Sequence, residues 1–129
     1  MYGLQSVWLT KAMRQRIDAF HCRCLRQILG IPHSYISRIS NMQVLNQGNE
    51  IALSIQLIHQ QLQYYGKIMR SCNHPAHELL QKESPKRRQG RPHLSWLREM
   101  RNHLVHIGTQ HIINPDYWRK IVLEYLPVL

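Results

Sequence analysis

The sequence predicts an all-α protein, a small irregular bundle of about four to five helices with a basic Pro/Gly linker. Apolar residues recur at intervals of three and four in several segments, which is the spacing of one helix face. Glycine and proline punctuate these segments, and no stretch alternates apolar and polar residues over the length of a strand. The length of 129 residues suits one domain, so we expect a single helical domain over residues 1–129.

The first predicted helix runs from Thr10, a suitable N-cap, to Leu29, and Gly30 with Pro32 supplies its stop. We expect its core-facing stripe to consist of Met13, Ile17, Phe20, Cys24 and Ile28. Three arginines project away from that stripe, so the other side is predicted to be exposed and cationic: Arg16, Arg23 and Arg26. Asp18 is the one acidic residue on that side.

The longest predicted helix runs from Glu50 to about Ser71 and is expected to pack along its whole length. Its stripe repeats strictly at four and three: Ile51, Ile55, Ile58, Leu62, Tyr65 and Met69. The polar face between Gly48 and Gly66 is rich in glutamine and nearly uncharged, which favours contact with another helix over contact with phosphate.

Shorter helices are predicted on both sides of this element. One begins at Ser40 or Asn41 and ends at Gly48. A turn of helix at residues 76–81 precedes an exposed basic linker over residues 82–92. Two further helices cover residues 94–107 and 116–125.

The charge balance is the strongest compositional signal. Lys and Arg number 17 against 7 Asp and Glu, which leaves a formal net charge of +10 at pH 7. A chain of this charge favours polyanionic partners, nucleic acid first and acidic membrane second. The longest apolar run is a few residues, and the N-terminal residues lack the pattern of a signal peptide. We therefore expect an intracellular protein without a membrane partner.

Catalysis is not expected of this sequence. Its seven acids are scattered without a pair at one-turn spacing, and it has no glycine-rich phosphate loop, no Gly-x-Ser-x-Gly elbow and no His-Glu-x-x-His helix. We predict no catalytic residue, no cofactor and no small-molecule substrate.

Two groups of cysteine and histidine contain ligand types that suit zinc: His21, Cys22 and Cys24, and then Cys72, His74 and His77. Cys-x-Cys within a helix directs the two thiols about 200° apart, which does not match a closed zinc site. We therefore expect reduced thiols, with Cys24 in the core and no metal, and keep a zinc-stabilised domain as an alternative.

The basic linker concentrates four cations within six residues: Lys86, Arg87, Arg88 and Arg91. An extended chain can place each beside a separate phosphate, so these residues are candidate nucleic-acid contacts. The alternative is a solvated loop that only keeps the protein soluble. The three tryptophans could stack on bases, but their helical spacing beside apolar residues is more typical of a core.

Residues 2 to about 100 resemble the region that follows the polymerase core in reverse transcriptases of non-LTR, LINE-type retrotransposons. The landmarks, in order, are Tyr2-Gly3 with Trp8 and Thr10, Phe20-His21-x-Arg23-Cys24-Leu25-Arg26-x-Ile28-Leu29-Gly30-Ile31, Asn41 with Val44-Leu45, Leu62-x-Tyr64-x-Gly66-x-Ile68-x-Arg70, and Gly90-Arg91-Pro92 with Trp96. In that family such a segment resembles the helical thumb and its C-terminal extension, which hold the template and primer. By position, the resemblance points to Arg16, Arg23, Arg26 and Arg91.

The sequence also departs from the family pattern. Lys67 stands where the family usually has His, and Tyr64 where it usually has Trp. The paired metal-binding aspartates of the palm and the endonuclease are expected to lie outside this sequence, so the resemblance implies a fragment without two-metal polymerase chemistry.

The leading prediction is a non-catalytic, nuclear, nucleic-acid-binding fragment that holds RNA or DNA through backbone phosphates. The alternative is a helical protein–protein interaction module, in which the stripe from Ile51 to Met69 seats a partner helix or docks on the missing polymerase domains. A non-functional remnant of a mobile element is the third possibility.

Overall fold

The computed structural model describes residues 3–81 and 95–125. These residues form seven α-helices and two 3-10 turns and contain no strand, which confirms the predicted all-α class. The helices are α1 (Lys11–Ile28), α2 (Ser34–Ser37), α3 (Asn41–Gln47), α4 (Leu53–Arg70), α5 (Pro75–Gln81), α6 (Trp96–Ile107) and α7 (Pro115–Glu124), and the 3-10 turns are Leu4–Ser6 and Thr109–Ile112. They outnumber the predicted helices partly because α2 is a single turn within a polar connection.

Side-chain caps explain where the helices begin. The Thr10 hydroxyl accepts a hydrogen bond from the Met13 amide at the start of α1. Ser40 and Gln43 form a reciprocal capping box at α3, as a Ser followed three residues later by Gln favours. After α1, Gly30 adopts a φ of 67°, the left-handed conformation predicted for its stop.

The described residues group into two compact units, one formed by Leu9–Ile58 and the other by Met1–Trp8 with His59–Leu129. The first is called the contiguous unit below and the second the split unit. The expectation of one domain over residues 1–129 stays a prediction, and the basic linker at 82–92 lies outside the described residues.

In the contiguous unit, α1 contacts α3, and the buried side chains include Cys22, Val44 and Ile58. The predicted stripe of α1 is not buried: Met13, Phe20 and Ile28 are 48%, 64% and 78% exposed. The expectation that this stripe faces the core is therefore wrong, although the helix itself is confirmed.

In the split unit, the core forms around Trp118, which is 1% exposed and donates its indole N–H to the Leu62 carbonyl at 3.2 Å. A Cβ at Gly66 would lie 2.8 Å from Cδ1 of Trp118, so only glycine permits this close approach of α4 and α7. Other buried members are Tyr65, Ile68, Met100, Leu104 and Val122. The prediction that this tryptophan belongs to the core is confirmed.

Candidate nucleic-acid interface

Asp18 lies on the face of α1 that contacts the start of α4. Asp18 accepts hydrogen bonds from the Ser54 amide at 2.8 Å and from the Ser54 hydroxyl at 2.7 Å, in the first turn of α4. A carboxylate there satisfies a backbone N–H that has no partner within its own helix and complements the helix dipole. Asp18 is the only acidic residue of α1, and these bonds direct it toward α4.

Arg26 lies on the same inward side and is 7% exposed. It donates from Nη1 to the Pro32 carbonyl at 3.2 Å, and from Nη2 to the Ile39 carbonyl at 2.6 Å and to Oδ1 of Asn41 at 3.2 Å. The prediction that Arg26 belongs to an exposed cationic face is wrong. Its guanidinium is occupied by oxygens of the connection after α1 and of the first residue of α3, and the Pro32 carbonyl also accepts from the Ser37 hydroxyl at 3.1 Å.

The outward face of α1 carries the other two predicted arginines. Arg16, Phe20 and Arg23 follow each other at spacings of four and three, which places them within an arc of about 60°. All three side chains are exposed, and within the described part of the chain neither arginine has a hydrogen-bond or ion-pair partner. Two free guanidinium groups with an aromatic ring between them are groups that contact phosphates and stack on bases.

A cavity of about 610 Å³ adjoins this face in the contiguous unit. Its cationic or titratable lining residues are Arg23, Arg26 and His33, and its polar lining includes Ser34 and Asn41. No acidic side chain within residues 3–81 and 95–125 lines it. The buried charge of Arg26, held only by neutral oxygens, therefore adds to the positive potential that Arg23 presents at the surface.

The four predicted linker cations, Lys86, Arg87, Arg88 and Arg91, lie outside the described residues. Of the seven predicted contact residues, the structure thus brings together Arg16 and Arg23 on one face and turns Arg26 inward.

A second basic region lies in the split unit, where sequence reasoning did not anticipate a site. A groove of about 360 Å³ runs between α4 and α7, and its cations are Lys67, Arg70 and Arg119. The glutamine face of α4, predicted to turn toward another helix, contributes Gln60 and Gln63 to this groove, whereas Gln61 alone is buried. The spacing of Lys67 and Arg70 placed them on one side of α4, but no local signal links them to Arg119.

The members of the two cysteine and histidine groups differ in burial: Cys22 is buried, Cys24 is of intermediate exposure and Cys72 is exposed. Cys22, Cys24 and Cys72 are free thiols, and burial raises the pKa of Cys22, with the Asp18 carboxylate adding to the rise. Nδ1 of His74 accepts from the Ala76 amide, and Nδ1 of His77 lies 3.1 Å from the Ile68 carbonyl. Within residues 3–81 and 95–125 no group of three or more His, Cys, Asp or Glu is arranged to hold a metal ion.

Comparison with known protein families, with curated proteins and with solved structures found no match. None of the helices in the described ranges combines the length and the apolar character needed to cross a membrane.

Proposed function

We propose that this chain is a non-catalytic nucleic-acid-binding fragment of a non-LTR retrotransposon reverse transcriptase, which holds template and primer through phosphate contacts. The observation that carries the proposal is the outward face of α1, where Arg16 and Arg23 flank the exposed ring of Phe20. The assignment to a retrotransposon rests on the order and spacing of the sequence landmarks, and a nuclear location follows from that assignment.

Charge supports the same function. The chain carries +10, and the only carboxylate of α1 is bonded to Ser54, so it does not offset the two free arginines. Contacts to phosphate are sequence-independent and release counterions, so we expect affinity to fall steeply as salt rises. Phe20 adds a stacking surface, which favours structured RNA or DNA with accessible unpaired bases.

Fluorescence anisotropy tests this proposal with a labelled RNA hairpin and a labelled DNA duplex, titrated at low and near-physiological salt. The double variant Arg16→Ala, Arg23→Ala should bind more weakly, and its slope of log affinity against log salt should fall by about 2. Arg98→Ala, Lys120→Ala removes the same charge from exposed positions on α6 and α7 and serves as the control. Equal losses in both variants would contradict a specific role for α1.

The linker is tested in the same assay. Replacement of Lys86, Arg87, Arg88 and Arg91 by alanine should reduce affinity and flatten the salt dependence further. Unchanged affinity would remove the linker from the proposed interface without affecting α1. A folded chain that binds neither probe at low salt would favour the non-functional remnant.

A helical interaction module is the second candidate function, because α1 also exposes Met13 and Ile28. The stripe of α4 that the sequence predicts for this role is not accessible over its central part, since Ile58, Leu62 and Tyr65 are buried. In that case sedimentation velocity should show self-association or binding of a partner helix. The double variant Met13→Ser, Ile28→Ser should abolish it. The arginine variant leaves these two side chains in place, so the two candidate functions are separable.

A further inference from the structure

The groove between α4 and α7 contains three cations from two helices. Lys67 and Arg119 are exposed and have no hydrogen-bond or ion-pair partner in the described ranges. Arg70 is held in place because its Nη1 donates to the Ile112 carbonyl at 2.9 Å. Among the residues that the structure describes, no acidic side chain lines the groove. Three positive groups that converge without a counter-charge form a site for an anion with several oxygens, such as a phosphate.

The rest of the groove differs from a simple anion site. Gln5, Gln60 and Gln63 line it, and each amide offers both a donor and an acceptor. Tyr64 contributes an aromatic side chain beside them, whereas Trp118, also in the lining, is 1% exposed and shapes the groove without offering a stacking face. Amides and aromatic rings together recognise a flat heterocycle with donors and acceptors on its edge, as a nucleobase has. The volume of about 360 Å³ lies at the lower end of the range for small-ligand sites, about 300–1,000 Å³.

The core fixes the shape of this groove. Trp118 is held by its hydrogen bond to the Leu62 carbonyl and by its contact with Gly66, so its position depends on buried groups. Because the wall is part of the core, the site is largely preformed and a ligand loses little free energy in ordering it.

We propose that this groove binds one nucleotide, with the phosphate on Lys67, Arg70 and Arg119 and the base among the glutamines and Tyr64. The nucleotide is either a free nucleoside monophosphate or an unpaired residue of a single strand, since both present the same base and phosphate. The proposal goes beyond the phosphate contacts of α1, because it concerns the split unit and predicts recognition of a base.

The test is a binding assay on the full chain with three probes: adenosine 5′-monophosphate, a labelled single-stranded adenine RNA decamer, and inorganic phosphate as competitor. Lys67→Ala, Arg119→Ala should weaken binding of the decamer about tenfold, because two solvent-exposed charge contacts are lost. Gln63→Leu should weaken binding of the monophosphate and leave competition by inorganic phosphate unchanged. Arg98→Ala, Lys120→Ala is the charge-matched control and should alter affinity less than twofold.

The outcomes are distinct. If both nucleotide probes bind and Lys67→Ala, Arg119→Ala abolishes that binding, the occupant is an unpaired residue of a single strand. If the monophosphate binds and the decamer does not, the occupant is a free nucleotide. Equal losses in the groove and control variants, or equal binding of inorganic phosphate and monophosphate, would overturn the proposal. Arg16→Ala, Arg23→Ala is measured beside them: if it alone weakens the decamer, the groove is rejected and the proposed function of α1 remains.

Discussion

The helices α1 and α4 both contain 18 residues and both have an apolar stripe at intervals of three and four, yet they pack in opposite ways. The central residues of the α4 stripe are buried, whereas Met13, Phe20 and Ile28 of the α1 stripe are at the surface. Apolar periodicity therefore predicted both helices correctly, but it identified the packed face of only one. Even there, Ile51 lies before the helix and is 47% exposed, so the expectation that the stripe packs along its whole length is wrong at its start.

Polar groups that are buried or half-buried account for the difference. In α4, the amide of Gln61 donates to the Leu4 and Val7 carbonyls, and it lies about 40° around the helix from Tyr65, on the side of the stripe. In α1, Asp18 and Arg26 lie about 160° and 120° from Phe20. Their partners satisfy charges that would be costly to bury alone, so the face that carries them turns inward.

The largest expected effect is the loss of the α4 core. Leu62→Ala should lower the free energy of unfolding by about 2–5 kcal/mol, because it leaves a cavity at a fully buried position. Phe20→Ala, a larger truncation on α1, should change it by less than about 0.5 kcal/mol. Urea unfolding followed by circular dichroism measures both. Comparable losses would show that the α1 stripe is covered in solution.

The second largest loss of stability is expected when the Arg26 guanidinium is removed from α1. Arg26→Ala should cost about 2–3 kcal/mol in unfolding free energy, since the Ile39 carbonyl and Oδ1 of Asn41 lose this donor while the Pro32 carbonyl keeps the Ser37 hydroxyl. Arg23→Ala, three residues earlier and exposed, should cost less than about 0.5 kcal/mol. If the two variants unfold at the same urea concentration, burial of Arg26 is not what orients α1.

A smaller effect is expected from the carboxylate of α1. Asp18→Asn keeps an oxygen that can accept from the Ser54 amide but removes its charge from the first turn of α4. We expect a loss of about 1 kcal/mol, reduced at high salt. Glu50→Gln, at an exposed position before α4, is the control and should change stability by less than half of that amount. A stabilised Asp18→Asn variant would contradict the assigned contact.

The smallest expected effect concerns thiol reactivity, which reports which face of α1 is buried. Burial raises the pKa of Cys22 and shields it, whereas Cys72 is exposed. At pH 8, alkylation by iodoacetamide followed by mass spectrometry should modify Cys72 at least about tenfold faster than Cys22. In denaturing urea the two rates should converge. Equal rates in the native chain would place Cys22 at the surface.

Local signals predicted the elements well and the site less well. Thr10 and Ser40 begin the helices predicted from them, because capping depends on residues three positions apart. The inward turn of Arg26 could not be predicted, since its acceptors lie six to fifteen residues further along the chain. Of the predicted contact residues in the described ranges, Arg16 and Arg23 remain candidates because the structure leaves both side chains exposed, although the stripe predicted to be buried beside them is exposed as well.

The groove was missed for a different reason. Gln60, Gln63 and Lys67 are neighbours on α4, but Arg119 joins them only after α7 packs through Trp118. A contact between residues 56 positions apart leaves no local pattern in the sequence. Taken alone, the uncharged glutamine face therefore indicates a helix–helix surface.

The close packing of Gly66 against Trp118 also bears on the order in which the molecule can form during translation. The contiguous unit, Leu9–Ile58, has all its residues once α4 has begun to emerge, whereas the split unit lacks the partner of Leu62 until Trp118 has been synthesised. At about 5–20 residues per second, the intervening segment takes several seconds to make. During that interval the apolar stripe in the second half of α4 is without its tryptophan, which leaves this part of the nascent chain open to non-native apolar contacts.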